Sequence, residues 1–340
     1  MTVDLPPDAD IKLSASVSSS DPLLCNVELP LRAIFYPLGF AVEIATNTQA
    51  ILDMAEESWG HFRQRHTRPT LQFRITVTEG GSAECPPAPS VRAQQYLLAI
   101  VADADNQALC DLKVGVASAW LSYSSLQHRS YLRYHFIEAV ALLLLSTSYV
   151  TAIHAACVSL HGRGMLLCGD SGAGKSSLAY ACARAGWTYT SDDASYLLSN
   201  ANPPRVIGNS HQIRFRPSAK DLFPELHGRS LTPRAEGKPS IEVPISDLAD
   251  IDTSDEAQIN YIIFLNRQPS AISTLVPVSR TRASQRFFQA LYPVKEIREV
   301  QASALQHLLN SEIYELRYRD LHHAINRLEQ LARDRGTGLV

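Results

Sequence analysis

The chain has 340 residues, more than one ordinary domain needs, and 45% of them are apolar, enough to bury real cores. Its 31 basic and 34 acidic residues leave a formal charge of −3, so no broad electrostatic feature favours nucleic acid or an anionic membrane as a partner. The cysteines at 25, 85, 110, 157, 168 and 182 form no C-x-x-C pair, and several sit in apolar runs, which fits free thiols in a reducing cytoplasm.

Residues 1–24 carry aspartates and prolines where a secretion signal needs positive charge followed by an apolar run, and they are expected to form a disordered tail. From Cys25 onward the pattern is mixed. Thr46 to Phe62 has helical spacing at Ile51, Met54, Ala55 and Trp59. LQFRITVT, from Leu71 to Thr78, reads as a strand, and Glu79 to Ser90 as a Gly/Pro/Ser loop. QYLLAIVADA and QALCDLKV read as a hairpin about the turn Asp103 to Asn106. The most apolar segment, Ile137 to Ile153, contains Glu138 and four Ser/Thr residues, falls short of the roughly 20 apolar residues of a membrane span and reads as a buried helix running into a strand, with Tyr131 to Ser148 as a bridging helix. Residues 25–148 are therefore expected to form a smaller N-terminal α+β domain, in which the arginine cluster Arg63 to Pro69 reads as a solvated loop.

Residues 149–334 alternate strands and helices, the pattern of a mixed α/β domain. IHAACVSL and MLLC read as strands joined by the turn HGRG, His161 to Gly164. GDSGAGKS then matches G-x-x-x-x-G-K-[ST] at every fixed position. By average residue usage such a match arises by accident in roughly one chain of this length in a hundred. A strand before it and the helix SLAYACARA after it make accident rarer still.

The chemistry needs these types at this spacing. Glycines let main-chain N–H groups converge on phosphate oxygens, and the helix N-terminus adds partial positive charge. The candidate nucleotide-binding residues are Gly169, Asp170, Ser171, Gly172, Ala173, Gly174, Lys175, Ser176 and Ser177. Lys175 would neutralise the outer phosphates and Ser176 would hold Mg2+. Gly186 ends the following helix, and a strand–helix–strand crossover is expected to lay WTYTS parallel and adjacent to MLLC. Asp192 and Asp193 then emerge at the carboxyl edge of the sheet, beside the loop. One carboxylate can orient the metal or its water, and the other can take a proton from an incoming hydroxyl.

Counting back along a hairpin closed by HGRG sets Leu160 opposite Met165 and His154 abreast of Ser171, where an imidazole can donate to a phosphate or tune a carboxylate. Arg214 and Arg216 alternate on a short strand and point to one face, as a phosphate clamp or as surface charge, and Lys238 has the same two readings. His322 and His323 point about 100° apart on a helix, too divergent for a shared metal.

The run from His154 to Asp193 resembles the catalytic core of the HPr kinase/phosphorylase superfamily, which shows a histidine ahead of the loop, GDSG-x-GKS, and a double aspartate after the next strand. The resemblance implies a phosphate-loop fold shared with phosphoenolpyruvate carboxykinase and a nucleotide partner, ATP, with Mg2+. It assigns Asp192 as acid/base, His154 as a supporting group, Lys175 and Ser176 to ATP and Mg2+, and Asp193 to the metal. HQIRFRP sets Gln212 where the family has a glutamate, and the likeness fades beyond about Glu225; the N-terminal region does not resemble the family's first domain.

The expectation is a cytoplasmic ATP-dependent kinase, a transferase acting on a serine, threonine or small-molecule hydroxyl. The identity of the phosphoacceptor, any reverse reaction and assembly as a homo-oligomer stay open. The alternative is a regulatory module that binds ATP and hydrolyses it slowly or not at all. A GTPase is disfavoured because no N-K-x-D occurs, and a motor ATPase because YIIFLN ends without an acidic pair.

Overall fold

The computed structural model describes residues 27–199, 201–232, 239–248, 250–268 and 273–333. The expected tail, Cys25 and Lys238 lie outside these residues.

Alternating burial builds a first sheet of seven strands: β1 (Leu31–Phe35), β2 (Val42–Thr46), β3 (Leu71–Thr78), β4 (Ser90–Gln94), β5 (Leu97–Val101), β6 (Gln107–Asp111) and β7 (Val116–Ser122), in the order β1-β2-β3-β7-β6-β5-β4. On β3, Leu71, Phe73, Ile75 and Val77 are buried while Gln72 faces out, the period of two of a half-covered strand. Helix α1 (Gln49–Trp59) crosses from β2 to its parallel neighbour β3 and buries Ile51, Met54, Ala55 and Trp59, the positions its helical spacing marks. The Asp103 carboxylate accepts the N–H groups of Asp105 and Asn106 at 2.9 and 2.8 Å and closes the β5–β6 hairpin as an Asx turn.

The long apolar helix is not uniformly α. It runs as α2 (Arg129–Leu132), a π-helical stretch from Arg133 to Glu138, and α3 (Ala139–Ser148). The wider turn brings Arg133 and Glu138 to the wall of a cleft and Tyr134 to Glu242, a use of π geometry that hydrophobic periodicity does not reveal. Leu132, Phe136, Ile137, Val140 and Leu144 are fully buried and share a core with Phe73, Ile75 and Trp59. No helix among the described residues is long and apolar enough to cross a membrane.

The second, nine-stranded sheet is mixed, so the chain is an α/β protein. Its strands are β8 (Val150–Ile153), β9 (Ala155–Leu160), β10 (Arg163–Cys168), β11 (Thr188–Ser191), β12 (Ser195–Leu198), β13 (Arg205–Gly208), β16 (Glu256–Arg267), β17 (Thr274–Pro277) and β18 (Glu312–Tyr318). A separate ribbon pairs β14 (Gln212–Phe215) with β15 (Ile241–Pro244). Helices α4 (Lys175–Arg184), α5 (Arg280–Phe288), α6 (Lys295–Leu308) and α7 (Leu321–Arg333) complete the elements. Burial pushes the Cys157 and Cys168 thiols up to about 12, so both behave as small core hydrophobes.

Three expectations are corrected. The run IHAACVSL is not one strand: β8 pairs with β12, β9 pairs with β10 and β11, and His154 stands at the break. The β9–β10 turn is two residues long, because His161 and Gly162 both take positive φ, 51° and 75°, as a tight type I′ turn requires. Arg163 therefore faces Leu160 and Cys168 faces Ala155, a shift of two that sets His154 abreast of Gly169 rather than Ser171. Finally, β11 does not adjoin β10. It pairs antiparallel with β9, and the parallel neighbour of β10 is β16. Since β9 reverses direction once on each side, β11 still runs the same way as β10 and ends on the same edge.

Candidate functional site

The loop between β10 and α4 is shaped by its glycines. Gly172 and Gly174 have φ of 94° and 97°, in the left-handed region where a Cβ is strained. At Gly174 a Cβ would also lie 2.7 Å from the Tyr318 hydroxyl. That hydroxyl donates to the Ala173 carbonyl at 3.0 Å, so β18 pins the loop from behind. No side chain caps the N-terminus of α4, and uncapped N–H groups at a helix start are what anion binding uses.

Lys175 is nearly buried. Its ammonium donates to the Gly169 carbonyl and to His154 Nε2, both at 2.9 Å, and to the Asp170 carbonyl at 3.3 Å. Burial lowers its pKa, and the Asp193 carboxylate opposes that shift. An imidazole that accepts at Nε2 carries its hydrogen on Nδ1, and His154 Nδ1 faces Asp193 Oδ1 at 3.4 Å. Lysine, histidine and aspartate thus form one chain, in which the strand break at His154 orients the ring.

Asp192 is 8% exposed, and its Oδ2 accepts the Arg214 N–H at 2.7 Å. Burial pushes its carboxyl up to about 6, against the lowering effect of Arg214 and with a further rise from Asp193. The Asp192 carbonyl accepts from Ser176 Oγ at 3.4 Å, which ties the first turn of α4 to the end of β11. Asp192, Asp193, His154, Lys175 and Ser176 therefore meet in space, although β11 lies one strand farther away than expected.

Three hollows adjoin this cluster, one of them on the His154 side, and the other two share Asp193. Of these two, one, of about 380 Å³, is lined by Ser171, Gly172, Gly174 and Lys175 to Ser177, together with Asp193, Arg216 and Arg267. The other, of about 1140 Å³, has Asp192 and Asp193 in its wall. Asp193 lines both, so the two spaces meet at the acidic pair.

The two arginines of β14 part company. Arg216 donates to Ser171 Oγ on the loop, whereas Arg214 Nε pairs with Glu242 Oε1 at 3.2 Å and backs Asp192. Glu242 also accepts from Gln212 Nε2 at 3.0 Å and from the Tyr134 hydroxyl at 2.9 Å. Sequence reading misses Glu242 and Tyr134 because no motif carries them. The signal is the register of a ribbon, Arg214 opposite Glu242, visible only once β14 and β15 are paired. The pair His61 and His211, with ring centroids 4.2 Å apart, was equally illegible; burial first, then the charge of His211, lowers the His61 pKa to about 4. His323 sits on Asp320 and His322 beside Asn326, well apart in their partners. Among the described residues no group of three or more His, Cys, Asp or Glu side chains is arranged to hold a metal by itself.

Among solved structures, the chain is similar to the HPr(Ser) kinase/phosphatase of Coxiella burnetii. The match covers 53% of this chain and 91% of that one, with 12% identity and a TM-score of 0.29. No family model and no curated protein matches the chain. At that TM-score the likeness says nothing of chemistry, and the functional reading rests on the site itself.

Proposed function

We propose that the protein is an ATP-dependent phosphotransferase that moves the γ-phosphoryl group to a hydroxyl, with Asp192 as general base. The observation that carries this reading is the junction at the acidic pair: a phosphate-loop hollow on one side, a larger cleft on the other, and between them a carboxylate whose pKa is raised to about 6. A base poised there is ionised at neutral pH yet more basic than an exposed aspartate, which suits abstraction of a hydroxyl proton.

The phosphates occupy the loop, where main-chain N–H groups and Lys175 meet them. Arg216, on Ser171, and Arg267 add positive charge to the same hollow. Ser176 and Asp193 are hard oxygen donors lining one hollow, the donor set that Mg2+ takes when it arrives bound to nucleotide and keeps its remaining sites for phosphate and water. The metal would neutralise charge between the phosphates. The residues of the chain do the rest: Lys175 holds the outer phosphates, His154 orients Asp193 through Nδ1, and Asp192 accepts the acceptor's proton at a carboxylate oxygen. The cytoplasm, where ATP and Mg2+ abound, is the compartment this chemistry fits.

The test is transfer of label from γ-labelled ATP to an extract of the native host. Wild type labels an acceptor, and Asp192→Asn and Lys175→Ala do not. Hydrolysis without any labelled acceptor would leave the nucleotide-binding regulatory module in its place.

A further inference from the structure

The 1140 Å³ cleft has Asp192 in its wall, and it is built both by helices packed on the first sheet and by residues of the second region. One wall is the end of α1 and the segment after it, with Glu57, Ser58, His61 and Phe62; another part of the lining comes from His211, Gln212 and Arg214 and, farther along the chain, Glu242, Asp250 and Asp252. Two fixed polar networks stand in it. Glu57 and Glu138 hold Arg133 at 3.3 Å each, with Ser58 donating to Glu138 at 2.8 Å. Glu242 holds Arg214, Gln212 and Tyr134. Side chains locked to one another in this way present donors and acceptors in set directions, which suits several hydroxyls on one small molecule better than a mobile protein side chain.

The charge of the cleft is not balanced. Its two guanidiniums are spoken for by the glutamates of those networks, and the lowered pKa leaves His61 neutral near pH 7. Asp250 and Asp252, exposed in the same wall, make no ion pair among the described residues. These unopposed carboxylates attract a cationic group on a ligand and repel an anionic one.

Resting on the transferase reading above, the structure assigns this cleft as the acceptor site, and we infer that the acceptor is a small polyhydroxyl compound bearing an amino group. Its hydroxyls meet the Arg133 and Glu242 networks and its ammonium meets Asp250 and Asp252. One hydroxyl reaches Asp192, gives up its proton to that carboxylate, forms a bond to the γ-phosphorus and releases ADP. The α1 end and the π-helical stretch, packed on the first sheet, are then part of the enzyme's substrate recognition.

Extract of the native host, separated by dialysis and then on cation and anion exchangers, is offered to the full chain with γ-labelled ATP. The label is expected in the dialysable fraction retained by the cation exchanger. For that fraction, the Asp250→Asn, Asp252→Asn double variant is expected to raise KM about ten-fold, an effect that added salt erodes, while nucleotide affinity stays as it was. Label in the protein fraction, or in dialysable material that is neutral or anionic, overturns this inference and leaves the transferase reading standing, as does a KM the double variant does not move. No label in any fraction overturns the transferase reading itself and this inference with it.

Discussion

The loop proposed to hold phosphate and the cleft proposed to hold the acceptor are neighbours built in opposite ways. The loop comes from one continuous stretch, Gly169 to Ser177, and its main-chain course depends on two left-handed glycines. The cleft draws on α1, the π-helical stretch, the β14–β15 ribbon and the chain beyond it, segments far apart in the sequence. Phosphate is common to every nucleotide and can be met by local geometry, whereas an acceptor is particular and is met by pairs assembled from across the chain.

Four substitutions break or sharpen that contrast. Asp192→Asn, at the junction, has the largest effect: kcat falls about 10³-fold while nucleotide affinity is kept, as removal of a general base does. The same variant gains thermal stability at neutral pH. A carboxyl raised in the folded state binds its proton more tightly there than in the unfolded chain, so the native state loses stability as pH climbs from the unfolded value of 3.8 to about 6, and asparagine escapes that loss. A melting curve that does not rise for the variant at pH 7.5 would count against the burial of this charge. Lys175→Ala comes next and weakens nucleotide binding about a hundred-fold, read by fluorescent-nucleotide titration, since the loop loses its only lysine.

Gly174→Ala strains the turn, and with the Tyr318 hydroxyl in the way it costs about 1–2 kcal/mol, measured by denaturant unfolding, together with weaker nucleotide binding. Acceptor KM is expected to move little, which separates loop from cleft. The smallest effect belongs to Glu242→Gln. The glutamate now offsets the positive field of Arg214 beside Asp192, so its loss lets that field lower the base's pKa and moves the acid limb of kcat/KM a fraction of a unit toward lower pH. An acid limb that moves upward would show that Glu242 does not act through Arg214.

The two regions also differ in how far the sequence discloses them. The loop, its flanking strand and helix, and the acidic pair follow from a motif of fixed spacing, because nine consecutive residues share one task. Hydrophobic periodicity likewise locates α1, β3 and the β5–β6 hairpin, whose apolar positions are buried. It does not disclose that β9 inserts between β10 and β11, since both placements bring the strand ends to one edge and bury the same apolar residues. The hairpin register fails for a local reason: HGRG allows a turn of four residues or of two, and only the positive φ of His161 decides between them. Nor are Glu242, Tyr134 and His211 marked by spacing, because each acquires its role from a partner far along the chain.

The most direct test of the central claim is the pH dependence of phosphoryl transfer under kcat/KM conditions with wild type and Asp192→Asn. Wild type is expected to rise with unit slope to an apparent pKa near the value of about 6 held by Asp192 and then level off, while the residual activity of the variant shows no such limb. A limb that persists unchanged in Asp192→Asn would contradict the assignment of Asp192 as the base.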